Sequence, residues 1–269
     1  MASRALLMRA TLRTGASVLE RQDAQTLHVD RFVEGLEAVR NELGSPIRLL
    51  GHSWGATLAL RYATRYPRDV AGCVLVGLGP LNAELANVAR ANLIRPLSPA
   101  ERNSLERLRV QRRAAVEAGD LAAHAKIHCE MVTRCYIKSW FYSPTVARHF
   151  ARQFLADYAN NPIVGQYAAP SVDYQALWSQ LARVVAPVLV VYGHQDFEPI
   201  VQGYLLRERI PQTRIVLLNE CGHVLWLEQP AAFRQQVLKF LLLCGCRDAR
   251  KGRSRRSAPR GWCPPSSSQ

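Results

Sequence analysis

Gly51-His52-Ser53-Trp54-Gly55 is the stretch on which the reading of this chain turns. It follows the largely apolar run Ile47-Arg48-Leu49-Leu50 and precedes a helix-like segment, Ala56 to Tyr66. A strand, then glycine-x-serine-x-glycine, then a helix is the context in which this pattern means a nucleophile elbow. There the serine occupies a strained turn, so its Oγ projects from the end of the strand. Gly51 and Gly55 remove side chains that would block the close approach of strand and helix. The backbone N–H of Trp54, at the helix start, then points where an oxyanion would form. The bland reading is a glycine-bounded strand-to-helix turn with no chemistry.

Working outward, residues 27–43 place Val29, Phe32, Val33, Leu36, Val39 and Leu43 at three-and-four spacing, which predicts an amphipathic helix. Gly44 ends it and Ser45-Pro46 turns the chain into the strand before Ser53. After the elbow helix, Val70-Ala71-Gly72-Cys73-Val74-Leu75-Val76 is apolar throughout, as a strand buried on both faces requires. Gly77-Leu78-Gly79 then hints at a dinucleotide fingerprint, but Asn82 stands where the third glycine belongs, so a plain loop is expected.

Residues 81–184 change character, with helices expected at Pro99–Glu117, Leu121–Ile137 and Thr145–Ala159. They read as a helical cap inserted between two strands. His124 and His128 lie one turn apart beside Cys129, yet no further ligand is evident, so a helix face is expected and no metal. The α/β pattern resumes at Val184–Tyr192, which ends in Gly193-His194-Gln195-Asp196. A helix from about Pro199 to Arg209 follows, then the strand Arg214–Leu218, ending in Glu220-Cys221-Gly222-His223. Pro230 begins a final helix through Leu243.

Ser53, Asp196 and His223 therefore stand just after the C-terminal ends of three strands, where open α/β sheets place their sites. Each type is needed. Ser53 is unreactive at its free pKa, so His223 must take its proton; Asp196 would hold the imidazole tautomer and stabilise the imidazolium. Taken singly, Asp196 is a turn residue and His223 a loop histidine. The serine–acid–histidine chain order is the one that marks the nucleophile-elbow hydrolases.

On Gly51 to Leu60, Val188 to Asp196 and Gly222-His223, the chain resembles the α/β-hydrolase superfamily, in its prolyl aminopeptidase-like branch, over about residues 14–243. The resemblance implies an α/β-hydrolase fold, a mostly parallel sheet flanked by helices, with core residues 14–80 and 185–246, a cap at 81–184 and a disordered basic tail at 247–269. It implies hydrolysis of a small amide or ester, typically release of an N-terminal residue from a peptide, with no cofactor. Two departures stand out. Family members begin with four further strands and a His-Gly-Gly-Pro-Gly-like loop that supplies a second oxyanion donor, whereas this chain enters at Arg13–Ser17, which resembles the loop after the fourth strand. An N-terminally truncated domain is expected, with the Ser53 strand at a sheet edge. Aminopeptidase relatives also read the substrate amine with a tryptophan-glutamate pattern in the cap; the nearest stretch here is His128-Cys129-Glu130, which makes Glu130 the candidate. The alternative is a catalytically impaired homologue that acts, if at all, by binding.

Composition bounds the rest. At 269 residues and 48% hydrophobic the chain can build a large core. It has no run of about 18 apolar residues, so no membrane span is expected. The net charge of +14 would suggest nucleic acid, but residues 247–260 concentrate seven basic residues against Asp248. A solvated basic tail with no specific nucleic-acid partner is the expectation. Seven cysteines without framework spacing point to reduced thiols in a cytoplasmic protein. Arg4, Arg9 and Arg13, with no acid before Glu20, have the look of a weak transit peptide, though a shifted or truncated start explains them better.

Overall fold

The computed structural model describes residues 25–44, 46–157 and 167–254. Four strands, β1 (Ile47–His52), β2 (Val70–Val76), β3 (Val188–Gly193) and β4 (Thr213–Leu218), form one parallel sheet in the order β1-β2-β3-β4. Period-two alternation splits each central strand between two cores. Cys73 and Leu75 of β2 with Val188, Val190 and Tyr192 of β3 enter one cluster. Val74 and Val76 with Leu189 and Val191 enter the other. That is why both runs read as apolar without alternation. Among the described residues β1 pairs on one side only, as expected of an edge strand.

Helix α1 (Val29–Leu43) buries Val29, Phe32, Val33 and Leu36 in the first cluster, alongside α2 (Trp54–Arg65). Between β2 and β3 run α3 (Ala83–Ile94), α4 (Pro99–Glu117), α5 (Leu121–Met131), a π turn (Val132–Tyr136), α6 (Ile137–Trp140), α7 (Pro144–Asp157) and α8 (Tyr174–Gln180). Leu97, Leu105, Leu108, Met131 and Cys135 make a separate small core within this helical stretch. After β3 comes α9 (Val201–Arg209); after β4 come α10 (Leu225–Glu228) and α11 (Pro230–Ser254), with Val237, Phe240 and Cys244 of α11 closing the second face of the sheet.

Two expectations need correction. The helix predicted over Leu121–Ile137 is broken by the π turn and continues to Trp140. Thr133 Oγ1 donates to the Cys129 carbonyl there at 2.8 Å, a local bond that competes with the regular ladder. The final helix does not stop at Leu243 but runs to Ser254. Arg247, Ala249, Arg250 and Lys251 are good helix formers, and no proline interrupts before Pro259. The remainder of the expected tail, 255–269, and the loop expected at Arg13–Ser17 lie outside the described residues. None of the described helices is long and apolar enough to cross a membrane.

Candidate active site

Ser53 sits between the end of β1 and the start of α2 with φ 54° and ψ −122°, a left-handed conformation costly for a side chain that branches from L geometry. Its N–H is held by the Val76 carbonyl at 2.9 Å, which continues the sheet past β1. The turn is tight enough to require glycine before it: a Cβ on Gly51 would lie 2.1 Å from the Gly55 carbonyl oxygen. Trp54 is the first residue of α2, so its N–H has no intrahelical acceptor and remains available. Its indole is anchored edge-on to Phe32 at 5.1 Å between centroids.

Asp196 and His223 come from the loops after β3 and β4, and those loops are stitched together. Gln195 N–H donates to the Cys221 carbonyl at 3.0 Å, and Cys221 N–H donates to Gln195 Oε1 at 2.9 Å. A Cβ on Gly193 would sit 2.2 Å from the carbonyl oxygens of Cys221 and Gly222, so only glycine allows the two loops this approach. The result is a buried pair, with His223 Nδ1 donating to Asp196 Oδ1 at 2.9 Å and side chains 4% and 1% exposed. The same Oδ1 accepts the Glu198 N–H at 3.0 Å, whereas Oδ2 is buried without a hydrogen-bond partner. Gly77, at φ 50°, lies against the pair: its Cβ would fall 2.8 Å from His223 Nδ1 and 3.0 Å from Asp196 Oδ2.

The helical stretch meets the base directly. His223 N–H donates to the Trp140 carbonyl at 2.7 Å, and a Cβ on Gly222 would lie 2.4 Å from that oxygen. Glu228 bridges the same junction, accepting from Gly222 N–H at 2.6 Å and Ser143 N–H at 2.7 Å. The rings of Phe197 and His52 each approach His223 at 4.5 Å. Burial disfavours the His223 imidazolium, but the Asp196 charge and hydrogen bond, with Glu198 adding to them, outweigh it and raise the pKa above 6.5. Burial pushes the Glu198 carboxyl up to about 8, against the opposing pull of His223. Its carboxylate oxygen Oε2 accepts from Gln202 Nε2 at 2.9 Å.

The structure thus brings Asp196 and His223 into contact and sets Ser53 just past the end of β1, at the same end of the sheet. His52, the residue before Ser53, touches the His223 ring. Among the described residues no hydrogen bond joins Ser53 Oγ to the imidazole, and in unliganded sites such bonds are commonly long. Among the described residues no hydrogen bond or ion pair joins Glu130 to Asp196 or His223. Its carboxylate is paired with Arg134 one turn further along the helical run. His124 is buried in the helical stretch, with its ring stacked on that of His128 at 6.4 Å, and among the described residues no cluster of three or more metal-ligating side chains forms. A cavity of about 320 Å³ is lined by Gly193, His194, Asp196, Glu198 and neighbours and does not include Ser53 or His223. Sequence reasoning gave no role to Gly77, Trp140 or Gln202. Only Gly77, a glycine closing a strand, carried a signal that could have found it.

A 2-hydroxy-6-oxononadienedioate/2-hydroxy-6-oxononatrienedioate hydrolase of Cupriavidus pinatubonensis is 28% identical over 209 residues, covering 77% of this chain. The chain spans 66% of that relative's length, just under two thirds. A proline iminopeptidase of Lactobacillus delbrueckii subsp. bulgaricus is 23% identical over 253 residues, 89% of this chain and 80% of the relative. The crystal structure of a proline iminopeptidase from Mycobacterium smegmatis superposes with a TM-score of 0.57 at 21% identity, covering 84% of this chain and 75% of that one. The sequence pattern of the alpha/beta hydrolase family matches residues 11–236, so the chain belongs to the α/β hydrolase family.

Proposed function

We propose that this protein is a serine hydrolase that cleaves a small amide or ester, such as the bond to an N-terminal residue of a short peptide, under a cap formed by residues 81–184. The observation that carries the reading is the buried His223–Asp196 pair, 2.9 Å apart, with a serine held at φ 54° just past the end of β1, whose last residue, His52, meets the His223 ring. Ser53 Oγ attacks the carbonyl carbon while its proton passes to His223 Nε2, and the imidazolium is held by Asp196. The tetrahedral oxygen takes the Trp54 N–H. Collapse returns the proton from His223 to the departing amine or alcohol and leaves an acyl ester on Ser53. Water then attacks that ester, giving its proton to His223, and releases the acid with Ser53 reprotonated.

The names of two relatives and one structural neighbour, iminopeptidase and dienedioate hydrolase, support hydrolysis of a small molecule or short peptide as the class. The test is turnover of p-nitrophenyl acetate and of proline p-nitroanilide by the full chain and by Ser53→Ala. Turnover of either compound that vanishes in the variant supports the proposal. A folded protein inert to both, or a Ser53→Ala variant as active as the parent, overturns it in favour of a homologue that binds without hydrolysing.

A further inference from the structure

His52 is the one ring next to His223 that arrives on the nucleophile's own strand. Its Nε2 lies 2.9 Å from the His223 carbonyl oxygen. A carbonyl only accepts, so Nε2 must carry the proton. The ring is tilted against the His223 ring at 4.5 Å and meets Trp226 of α10 edge-on at 4.7 Å. The backbone of His223 is therefore pinned at both ends, its N–H by Trp140 and its carbonyl by His52, while its side chain is fixed by Asp196.

We infer that His52 is a positioning residue, a neutral Nε2–H imidazole that ties the base to the strand of the nucleophile and so sets the separation of Ser53 and His223. The inference rests on the serine-hydrolase reading. Neutrality is part of the role. When His223 takes the serine proton it becomes a cation, and a second cation at 4.5 Å would oppose that step. The surroundings enforce it: burial and the charge of His223 hold the His52 pKa down at about 3, against the pull of the carbonyl hydrogen bond. The charged or titratable groups on this side are His223 itself and, behind it, Asp196 and Glu198. Trp226 is the uncharged neighbour from α10.

Two variants separate position from bulk. His52→Phe keeps a ring between His223 and Trp226 but has no donor. His52→Gln places an amide N–H where Nε2 stands. With p-nitrophenyl acetate, His52→Phe should lower kcat about 10- to 100-fold with KM within about twofold, the scale on which small misplacements of a catalytic group act. His52→Gln should recover most of that loss. Equal activity of His52→Phe and parent overturns the inference, as does failure of His52→Gln to do better than His52→Phe. Ring-nitrogen NMR of the parent gives an arm that needs no turnover and no variant that folds. The expected result is a proton on Nε2 of His52 and no titration of that ring between pH 8 and 5. A proton on Nδ1, or titration near the ordinary histidine value, overturns the inference even if Ser53 proves to be the nucleophile. The expected spectrum from a protein without hydrolase activity would instead keep the tie and discard the reading.

Discussion

At the residue scale the site turns on what each side chain is denied. Ser53 is denied a relaxed backbone, His223 and Glu198 are denied solvent, and Asp196 Oδ2 is denied a partner. The base works only when neutral, and its pKa lies above 6.5, so kcat/KM should be lost at low pH and rise through an apparent pKa above that value to a plateau. Asp196→Asn should lower kcat about 10,000-fold with little change in KM, because the imidazole loses its tautomer control. Near-native turnover in that variant would remove Asp196 from the role. Glu198 gives a stability prediction of definite sign. Its pKa rises from 4.5 to about 8 on folding, so between those values the unfolded chain sheds a proton that the folded chain keeps. Stability should therefore decline as pH climbs through that window. Glu198→Gln, which can still accept from Gln202, should flatten the decline. Thermal melts at pH 5 and pH 8 check it, and identical pH dependence in parent and variant would contradict it.

At the element scale, what was legible followed from local chemistry. The bounds of α4 at Pro99 and Glu117 were read correctly because Ser98, Pro99 and Glu101 form a capping box: Glu101 N–H reaches Ser98 Oγ at 3.3 Å, and Ser98 N–H reaches Glu101 Oε2 at 2.9 Å. Helix α3 was missed although its signal was in view. Asn82 counted only as a missing glycine, yet it is the N-cap, accepting from Leu85 N–H at 2.8 Å. Asp173 caps α8 in the same way and was equally overlooked. The junction of Trp140 with His223 has no such local signature, because it joins α6 to a strand loop about 80 residues away. That junction gives the element-scale prediction. Gly222→Ala places a Cβ 2.4 Å from backbone, which cannot step aside as a side chain tip would. It should cost about 1–3 kcal/mol in urea unfolding and cut kcat, as His223 is displaced from Trp140. Unchanged stability and turnover would show that the loop and α6 are not coupled as described.

At the scale of the whole molecule, the order of Ser53, Asp196 and His223 along the chain and the strand ends they follow were readable because buried parallel strands announce themselves as unbroken apolar runs. Which side chain touches which was not readable. The Asp196–His223 contact depends on Gly193 letting two loops close, and Gly77 lies against that pair by virtue of sheet packing that no local pattern encodes. The central claim is that this assembly makes Ser53 a nucleophile. The most direct measurement is reaction of the full chain with a fluorophosphonate, followed by peptide mapping of the adduct. The account predicts a single stoichiometric phosphonyl group on Ser53, none in Ser53→Ala, and labelling slowed by orders of magnitude in His223→Ala. A well-folded protein that stays unlabelled, or one labelled at a different serine, would contradict it.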